Sequence, residues 1–370
     1  MSAVPAQLEV HLFGPGYGEC VLVRLGTDHW MVIDSCVDPS TKQPVALDYL
    51  KSRGVDASTA VKVLIASHWH DDHIRGIGAL VEACPCASFH CSQALFSEEF
   101  LQVVSASSSG AMMRSTSGAD EFASVVTTLR QRAKRTAEKV LGSGLKFAKA
   151  NQRLLQLDSS GVPAEVWSLS PGDAEIEGAM RDIAKLIPRA RSGVPAPRRR
   201  LMSLRPNNTA VAIWVKVGAL EALLGADLEE TGHQDAGWTA VVRSSERPQS
   251  RASLFKVAHH GSSTGNCPAV WAEMLSDGPV SVLTPFRRGS VKLPSPPDVD
   301  RIKSLSSDAY ISTRREPKRP KPSDRVISRA FSHGMRSVRA AIPVGRVSAI
   351  GQASAETTWS IELANGGVRL

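Results

Sequence analysis

The sequence predicts a layered α/β domain, because it combines apolar runs of strand length, segments with helical spacing and an alternating pair near the C-terminus. Residues 61–66 are almost all apolar, as in a buried strand, and helical spacing starts soon afterwards, at Ile74. Segments 345–350 and 358–363 alternate apolar and polar residues, which predicts antiparallel strands. With 370 residues, 42% of them hydrophobic, the chain is long enough to form a single domain over 1–370 with insertions.

The loop between that first strand and its helix carries the strongest functional signal. Three histidines and two aspartates occupy six consecutive positions, as His68, His70, Asp71, Asp72 and His73. Imidazole nitrogen and carboxylate oxygen are ligands that zinc, manganese and iron accept. A solvated loop can also be rich in histidine, but an apolar strand leading directly into the spacing H-x-H-x-D-H favours a metal site.

At this motif the chain resembles the metallo-β-lactamase fold superfamily, whose members bind one or two divalent metal ions. The resemblance implies a four-layer αββα sandwich of the α/β (α+β) class. Other apolar runs, one before this motif and two after it, occur in the superfamily's order. They end at Asp34, at Asp227 and at the pair His259-His260. The resemblance implies the metal ligands His68, His70, Asp72, His73, Asp227 and His259.

Within this set the resemblance implies distinct roles. His68 and His70 would hold one metal, while Asp227 would bridge to a second. Asp72 and Asp227 are the predicted catalytic residues. Asp34 is expected to orient ligands, or to be a ligand itself. His259 is preferred to His260 as the remaining ligand because it is the first residue past the strand, although the sequence leaves the choice open.

One ligand of the usual pattern is missing. The superfamily normally supplies a further histidine to the first metal, yet no histidine lies between Phe96 and Gly232. Asn208 stands where that histidine is expected. An amide oxygen is a weaker and harder ligand than imidazole, so one or two divalent ions are predicted, zinc first and manganese as the alternative.

A narrower resemblance, to the hydrolase domain of competence proteins of the ComEC type, covers residues 8–93 and 207–313. It rests on the segments Gly14-Pro15-Gly16-Tyr17-Gly18-Glu19, Asn207-Asn208-Thr209 and His259-His260-Gly261-Ser262. Glu19 stands where that group often has Asp. Those proteins attach the domain to membrane helices, whereas no apolar run here approaches the roughly 20 residues that span a bilayer. We therefore expect a cytoplasmic protein without membrane contact.

The cationic composition predicts a polyanionic partner. The formal net charge is +8 and the pI about 9.3. Arginines recur in a proline-rich linker at 188–206 and in a basic loop at 314–325. Such runs are often merely solvated loops, but together with the net charge they predict nucleic acid as partner. The expected contacts are Arg198, Arg199, Arg200, Arg287 and Arg288. The sequence does not predict protein partners or the oligomeric state.

The middle of the chain, residues 95–160, has apolar residues at helical spacing and is predicted to be a helical insertion. The combined features predict a metal-dependent hydrolase in which a water acidified by the cations attacks an ester or amide. The preferred substrate is a phosphodiester of DNA or RNA. Two alternatives stay open: a small-molecule ester or phosphoester hydrolase, and a metal-binding module with little turnover.

Overall fold

Two eight-stranded sheets dominate the computed structural model, which describes residues 6–95, 117–136, 144–159, 161–184, 206–314, 343–353 and 358–370. The first sheet contains β1 (Gln7–Gly14), β2 (Cys20–Gly26), β3 (His29–Ile33), β4 (Val61–Ala66), β5 (Ser88–Ser92), β6 (Leu145–Ala148), β16 (Gly345–Gln352) and β17 (Trp359–Ala364). Their spatial order is β17-β16-β1-β2-β3-β4-β5-β6. Strands β3 to β6 run parallel to one another.

The second sheet contains β7 (Gln152–Ser159), β8 (Val162–Ser168), β9 (Ile213–Val217), β10 (Leu220–Leu224), β11 (Ala252–Lys256), β12 (Leu275–Leu283), β15 (Ala309–Ile311) and β18 (Val368–Arg369). Their order is β18-β15-β12-β11-β10-β9-β8-β7. Strands β10, β11, β12 and β15 are parallel. A separate hairpin pairs β13 (Phe286–Arg288) with β14 (Val291–Leu293).

The helices of the described residues are α1 (Val45–Ser52), α2 (Ala57–Ala60), α3 (Asp71–Ile74), α4 (Ile77–Ala83), α5 (Ser117–Thr136), α6 (Asp173–Ala184), α7 (Gly237–Arg243) and α8 (Pro296–Leu305). Local chemistry accounts for where some of them begin. At α8, the Ser295 side chain caps the helix and Asp298 bonds back to the Ser295 backbone, with proline at the first helical position.

The elements form four layers in the order helix, sheet, sheet, helix. Three apolar cores lie between these layers. Helices α1, α4 and α5 cover the outer face of the first sheet, around Leu50 and Leu80. The inner faces of the two sheets pack on each other through residues such as Leu12 and Val215. Trp238 of α7 and Ile302 of α8 cover the outer face of the second sheet. The predicted αββα sandwich is confirmed.

The prediction of a helical insertion over 95–160 is wrong for its last part. Residues 117–136 form a helix, but 145–148 extend the first sheet and 152–159 form the edge of the second. The apolar residues at helical spacing there are edge-strand residues, which need only one buried face. The predicted antiparallel pair at 345–350 and 358–363 is confirmed as β16 and β17.

Several predicted segments fall wholly or largely outside the described residues, including the linker 188–206 and the loop 314–325. Arg198, Arg199 and Arg200 lie there too. Among the helices that the structure does describe, none has both the length and the apolar character needed to cross a bilayer.

Candidate metal centre

The candidate site lies where the C-terminal ends of parallel strands from both sheets meet. Strands β3 and β4 deliver Asp34 and the loop 67–73 from the first sheet. Strands β10 and β11 deliver Asp227 and His260 from the second. Polar groups collect at such strand ends because the strands themselves are buried on both faces.

Asp34 holds the loop after β4 in place. Its carboxylate accepts hydrogen bonds from Ser67 N and Ser67 Oγ, both at 2.7 Å. The other contact is with His73 Nδ1, also at 2.7 Å. These bonds engage both carboxylate oxygens and leave Nε2 of His73 facing the centre, so we assign Asp34 to orienting this histidine.

His68 and His70 face each other at one side of the centre. Their Nε2 and Nδ1 atoms are 3.1 Å apart, and Ser67 Oγ lies 3.0 Å from His68 Nδ1. Burial, reinforced by the neighbouring histidines, lowers the pKa of His68 well below its usual value. A neutral imidazole is the form that binds a metal, so burial prepares His68 for that role.

Asp227 lies in the middle of the imidazoles. Its Oδ2 is 3.3 Å from His73 Nε2, 3.5 Å from His260 Nε2 and 3.9 Å from His68 Nε2. The preceding residue, Ala226, has a left-handed backbone with φ of 43°. A non-glycine residue in this region is strained, which commonly accompanies a functional site.

Buried polar atoms without hydrogen-bond partners show that these residues fit a cation. The described residues leave three such atoms in this cluster: His73 Nε2, His260 Nε2 and Asp227 Oδ1. Ligand atoms of Asp72, His73 and His260 also lie within 4.8 Å of one another. Unsatisfied buried groups are costly, and a divalent cation accepting these nitrogen and oxygen lone pairs would satisfy them together.

The preference for His259 over His260 is not supported by this geometry. His260 is buried, and its Nε2 lies 3.4 Å from Asp72 Oδ2. His259 instead places Nδ1 2.7 Å from Thr264 Oγ1 and 3.1 Å from Glu229 Oε1. Both histidines have left-handed backbones, with φ of 48° and 52°, so the chain turns sharply and the second ring, not the first, points inward.

Asn208 also differs from its expected position. Its side chain makes no hydrogen bond with His68 or His70, all three being described residues, and it lines a cavity of about 390 Å³ together with Trp69. The neighbouring Asn207 contacts His259, with Nδ2 3.2 Å from Nε2. A 3₁₀ turn at Pro206–Thr209 separates the two side chains, which the sequence alone does not indicate.

Comparison with known proteins agrees with this arrangement. Residues 13–123, which include Asp34 and the whole 68–73 motif, match the family model described as the metallo-beta-lactamase superfamily.

Residues 13–123 of this chain thus resemble a metallo-β-lactamase superfamily domain.

Solved structures with detectable similarity were also found, whereas no curated protein matches the chain. One is the metallo-beta-lactamase fold protein YhfI from Bacillus subtilis, at 12% identity, covering 83% of this chain and 95% of that one with a TM-score of 0.39. Another is MEM-A1, a subclass B3 metallo-beta-lactamase from a soil metagenome library, at 13% identity, covering 73% and 84% with a TM-score of 0.33. The match of residues 13–123 to the superfamily model and the candidate cation cluster together imply a metal-dependent hydrolase.

A buried ionic network that sequence reasoning missed supports the second half of this candidate metal centre. Lys256, fully buried, places Nζ 2.5 Å from Glu19 Oε1 and donates to the Ala226 carbonyl at 2.8 Å. Glu19 accepts a hydrogen bond from Thr284 Oγ1, which lies 3.0 Å from His260 Nδ1. The network thus connects the backbone before Asp227 to the ring of His260.

One sequence signal could have located this network. Lys256 is the only charged residue in the apolar run 254–258, directly before the two histidines. A lysine in a buried strand requires a partner, because an unpaired buried charge is strongly unfavourable. Its partner Glu19 lies far away along the chain and can be identified only from the fold.

The electrostatics of the centre favour ionised carboxylates. Burial opposes ionisation of Asp72, but the charge of His73 and a hydrogen bond from His260 outweigh it, and the Asp72 pKa is lowered. Burial likewise disfavours protonated His73, yet the carboxylates around it, Asp227 foremost, hold the His73 pKa well above its usual value. Proton and metal ion therefore compete for His73, and metal binding would release that proton.

The mouth of the centre is aromatic and basic. The Phe286 ring of β13 lies 5.4 Å from the His260 ring, and the Tyr17 ring lies 5.6 Å from Phe286. Arg287 and Arg288 follow Phe286 directly, with Arg287 half-buried and Arg288 exposed. These two predicted nucleic-acid contacts thus directly follow a residue whose ring contacts His260.

Proposed function

We propose that this chain is a metal-dependent phosphodiesterase that acts on nucleic acid. The observation that carries the proposal is the position of the hairpin β13–β14, which packs Phe286 on the His260 ring and holds Arg287 and Arg288 at the mouth. Guanidinium groups bind phosphate oxygens through several donors at once. The net charge of +8 adds a long-range attraction for polyanions. The resemblance to ComEC-type hydrolase domains supports the same substrate class.

Cations would be held by His68, His70 and Asp227 on one side, and by Asp72, His73 and His260 with Asp227 on the other. Zinc is the preferred ion, with manganese as the alternative, because imidazole and carboxylate suit both. When bound, such ions supply Lewis-acid stabilisation of a phosphoryl group and acidify water near neutral pH.

The protein's own residues provide orientation and charge. Asp34 fixes the His73 ring by accepting from Nδ1. Thr284, which follows β12 of the second sheet, fixes the His260 ring through its Oγ1, which accepts from His260 Nδ1. Because the Asp72 pKa is lowered, this carboxylate is suited to bind a cation and poorly suited to accept a proton. We therefore assign Asp72 to ligation and orientation of the substrate phosphate, with Asp227 as the shared carboxylate.

The test is cleavage of labelled single-stranded and double-stranded DNA and RNA by metal-stripped protein, with zinc, manganese or magnesium restored separately. We expect cleavage only after metal is restored, and none with the His70→Ala variant. Absence of cleavage with every metal, from protein that still binds metal, would overturn the nuclease proposal.

A small-molecule ester or phosphoester hydrolase is the second candidate. The cavity of about 390 Å³ beside Trp69 and Asn208 favours it, since its size suits a compact organic ligand. Turnover of nitrophenyl esters or phosphate monoesters, without cleavage of any oligonucleotide, would select this candidate.

A further inference from the structure

One aromatic ring at the mouth of the centre holds two arginines. Tyr17 lies in the turn between β1 and β2 and is half-buried. Arg288 Nη1 donates a hydrogen bond to the Tyr17 hydroxyl at 2.8 Å, and its guanidinium carbon lies 5.2 Å from the ring centroid. The guanidinium carbon of Arg75, just after α3, lies 5.8 Å from the same centroid. Cation–π attraction accounts for both contacts.

Neither Arg75 nor Arg288 forms an ion pair with any carboxylate of the described residues, and both side chains are exposed. Asp71, whose charge also acts on Tyr17, accepts a hydrogen bond from Gly118 N at 2.9 Å. Two like charges gathered around one ring repel each other, and an anion placed between them would reverse that repulsion.

The pair lies beside the cation cluster. Tyr17 contacts Phe286, which contacts the ring of His260. Two residues after Tyr17, the Glu19 backbone N–H donates a hydrogen bond to the Asp72 carbonyl oxygen at 2.8 Å. An anion held by the two arginines would therefore lie near the phosphate that is hydrolysed at the cation cluster. It would be a second anionic group and not the reacting phosphate itself.

We propose that Arg75 and Arg288, arranged by Tyr17, bind a non-scissile phosphate of a nucleic-acid strand next to the phosphate being hydrolysed. This inference rests on the proposed function and narrows it, because the substrate must carry a second phosphate next to the one that is hydrolysed. The site recognises the backbone and not the base, since the guanidiniums already occupy the neighbourhood of the Tyr17 ring. The substrate is thus a strand with at least two successive phosphates, bound without base specificity.

The experiment compares the double variant Arg75→Ala/Arg288→Ala with the wild type. A matched control, Arg130→Ala/Arg243→Ala, removes the same charge from exposed positions on α5 and α7. Binding of a labelled single-stranded oligonucleotide to the metal-free protein is measured as a function of salt concentration. After metal is restored, turnover is measured on the oligonucleotide and on bis(p-nitrophenyl) phosphate, which has a single phosphate. An oligonucleotide with one neutral methylphosphonate linkage beside the cleaved position probes the same contact from the substrate side.

For the double variant we expect oligonucleotide binding to weaken by about tenfold or more, as for loss of a hydrogen bond to a charged group. The slope of log K against log salt should become shallower by about 0.7, the value for one phosphate contact of a single strand. Turnover of bis(p-nitrophenyl) phosphate should fall less than turnover of the oligonucleotide, and the properties of the control should stay within about twofold of wild type. The methylphosphonate should weaken wild-type binding and leave the double variant unaffected.

Tyr17 supplies a second readout. Tyr17→Leu removes the ring and should weaken oligonucleotide binding, whereas Tyr17→Phe keeps the ring and should lose less. Binding and salt slope unchanged in the double variant would overturn the phosphate site, whether or not the enzyme cleaves nucleic acid. Conversely, a binding loss in the double variant, together with wild-type protein that cleaves no phosphodiester, would overturn the proposed function and leave the phosphate site standing.

Discussion

At the turn that follows β11, two adjacent histidines with the same left-handed backbone have different surroundings. His260 contacts the carboxylates of Asp72 and Asp227, whereas His259 pairs with Glu229 and Thr264. His260 is therefore placed to bind a cation, whereas the adjacent His259 supports the surrounding loop. Left-handed backbone in two consecutive non-glycine residues is costly and persists only where the surroundings impose it.

This arrangement predicts different outcomes for the two alanine variants. His260→Ala should lose about one equivalent of bound metal and reduce turnover by orders of magnitude, because a ligand is removed. His259→Ala should retain the full metal content. Elemental analysis of dialysed protein measures both. Metal lost from the His259 variant but kept in the His260 variant would show that the sequence-based preference was right.

Lys256 and Glu19 form a buried ion pair whose loss should affect stability and metal affinity together. Lys256→Met should lower the free energy of unfolding by about 3–5 kcal/mol, since Glu19 would lose its cationic partner in the core. The double variant Glu19→Gln/Lys256→Met should recover much of that loss. Denaturant unfolding of the metal-free proteins provides the double-mutant cycle. Additive losses would mean that the two charges do not depend on each other.

His90 should make the protein acid-sensitive independently of the metal. Burial, with a smaller effect of Lys146, lowers the pKa of His90 to about 4. The folded state then keeps His90 neutral while the unfolded chain protonates near pH 6.5, so this contribution to stability is present above that pH and is lost as pH falls towards 4. His90→Leu should reduce the loss of unfolding free energy between pH 7 and pH 5 by about 2 kcal/mol.

Denaturation of metal-free wild type and His90→Leu at the two pH values checks this. An equal loss in both proteins would mean that His90 is already protonated in the fold.

The residues that the sequence could predict lie close together along the chain, whereas those that it could not predict are far apart and meet only in the fold. The 68–73 motif is contiguous, so its metal-binding chemistry can be predicted without knowledge of the fold. Glu19 and Thr284 meet across 265 positions, and only the packing of the two sheets brings them together. The choice between His259 and His260 depended on a backbone conformation for which the neighbouring Gly261 gives only a weak hint.

At the scale of elements, the ends of β1 and β12 approach each other at the site. A Cβ on Gly14, the last residue of β1, would lie 2.6 Å from Thr284 Cγ2 and 2.9 Å from Ser312 Oγ. Glycine is therefore required by space and not by backbone conformation. The contact fixes Thr284, which in turn orients His260.

Gly14→Ala should accordingly destabilise the protein by about 1–3 kcal/mol, as overpacking of a core does, and should weaken metal binding. Gly178→Ala on α6 is the matched control, because a Cβ there meets nothing within 4 Å. Thermal unfolding and metal titration of both variants measure the difference. Equal behaviour of the two would mean that the strand ends can separate without consequence for the site.

Strands were also the elements that sequence periodicity predicted least well. Residues 145–159 were predicted to be helical because their apolar residues occur at helical spacing, yet they form β6 and β7 at the edges of the two sheets. An edge strand contributes few core residues, so its period-2 pattern is weak. The central strands β4 and β11, buried on both faces, are continuous apolar runs and were recognisable.

For the whole molecule, the cation ligands link the two sheets. His68, His70, Asp72 and His73 belong to the first sheet, and Asp227 and His260 to the second. A ligand that binds only the folded state stabilises it in proportion to the logarithm of its concentration over Kd. Metal removal should therefore weaken the attachment of one sheet to the other and not only the active site.

We expect chelation to lower Tm, by an amount equivalent to roughly 3–4 kcal/mol when free metal exceeds Kd by about a hundredfold to a thousandfold. The His70→Ala variant should show a smaller shift, because one of its ligand groups is missing. Calorimetry with and without chelator measures both. An unchanged Tm would indicate that the sheets remain fully joined without metal.

The distance along the chain between Glu19 and Thr284 also bears on how the protein is made. A ribosome adding about 5–20 residues per second takes on the order of tens of seconds to travel from one to the other. Within that interval the histidines of the 68–73 loop are made first, and Asp227 and then His260 are added only later. Ions captured before His260 is made would therefore be held by an incomplete set of ligands.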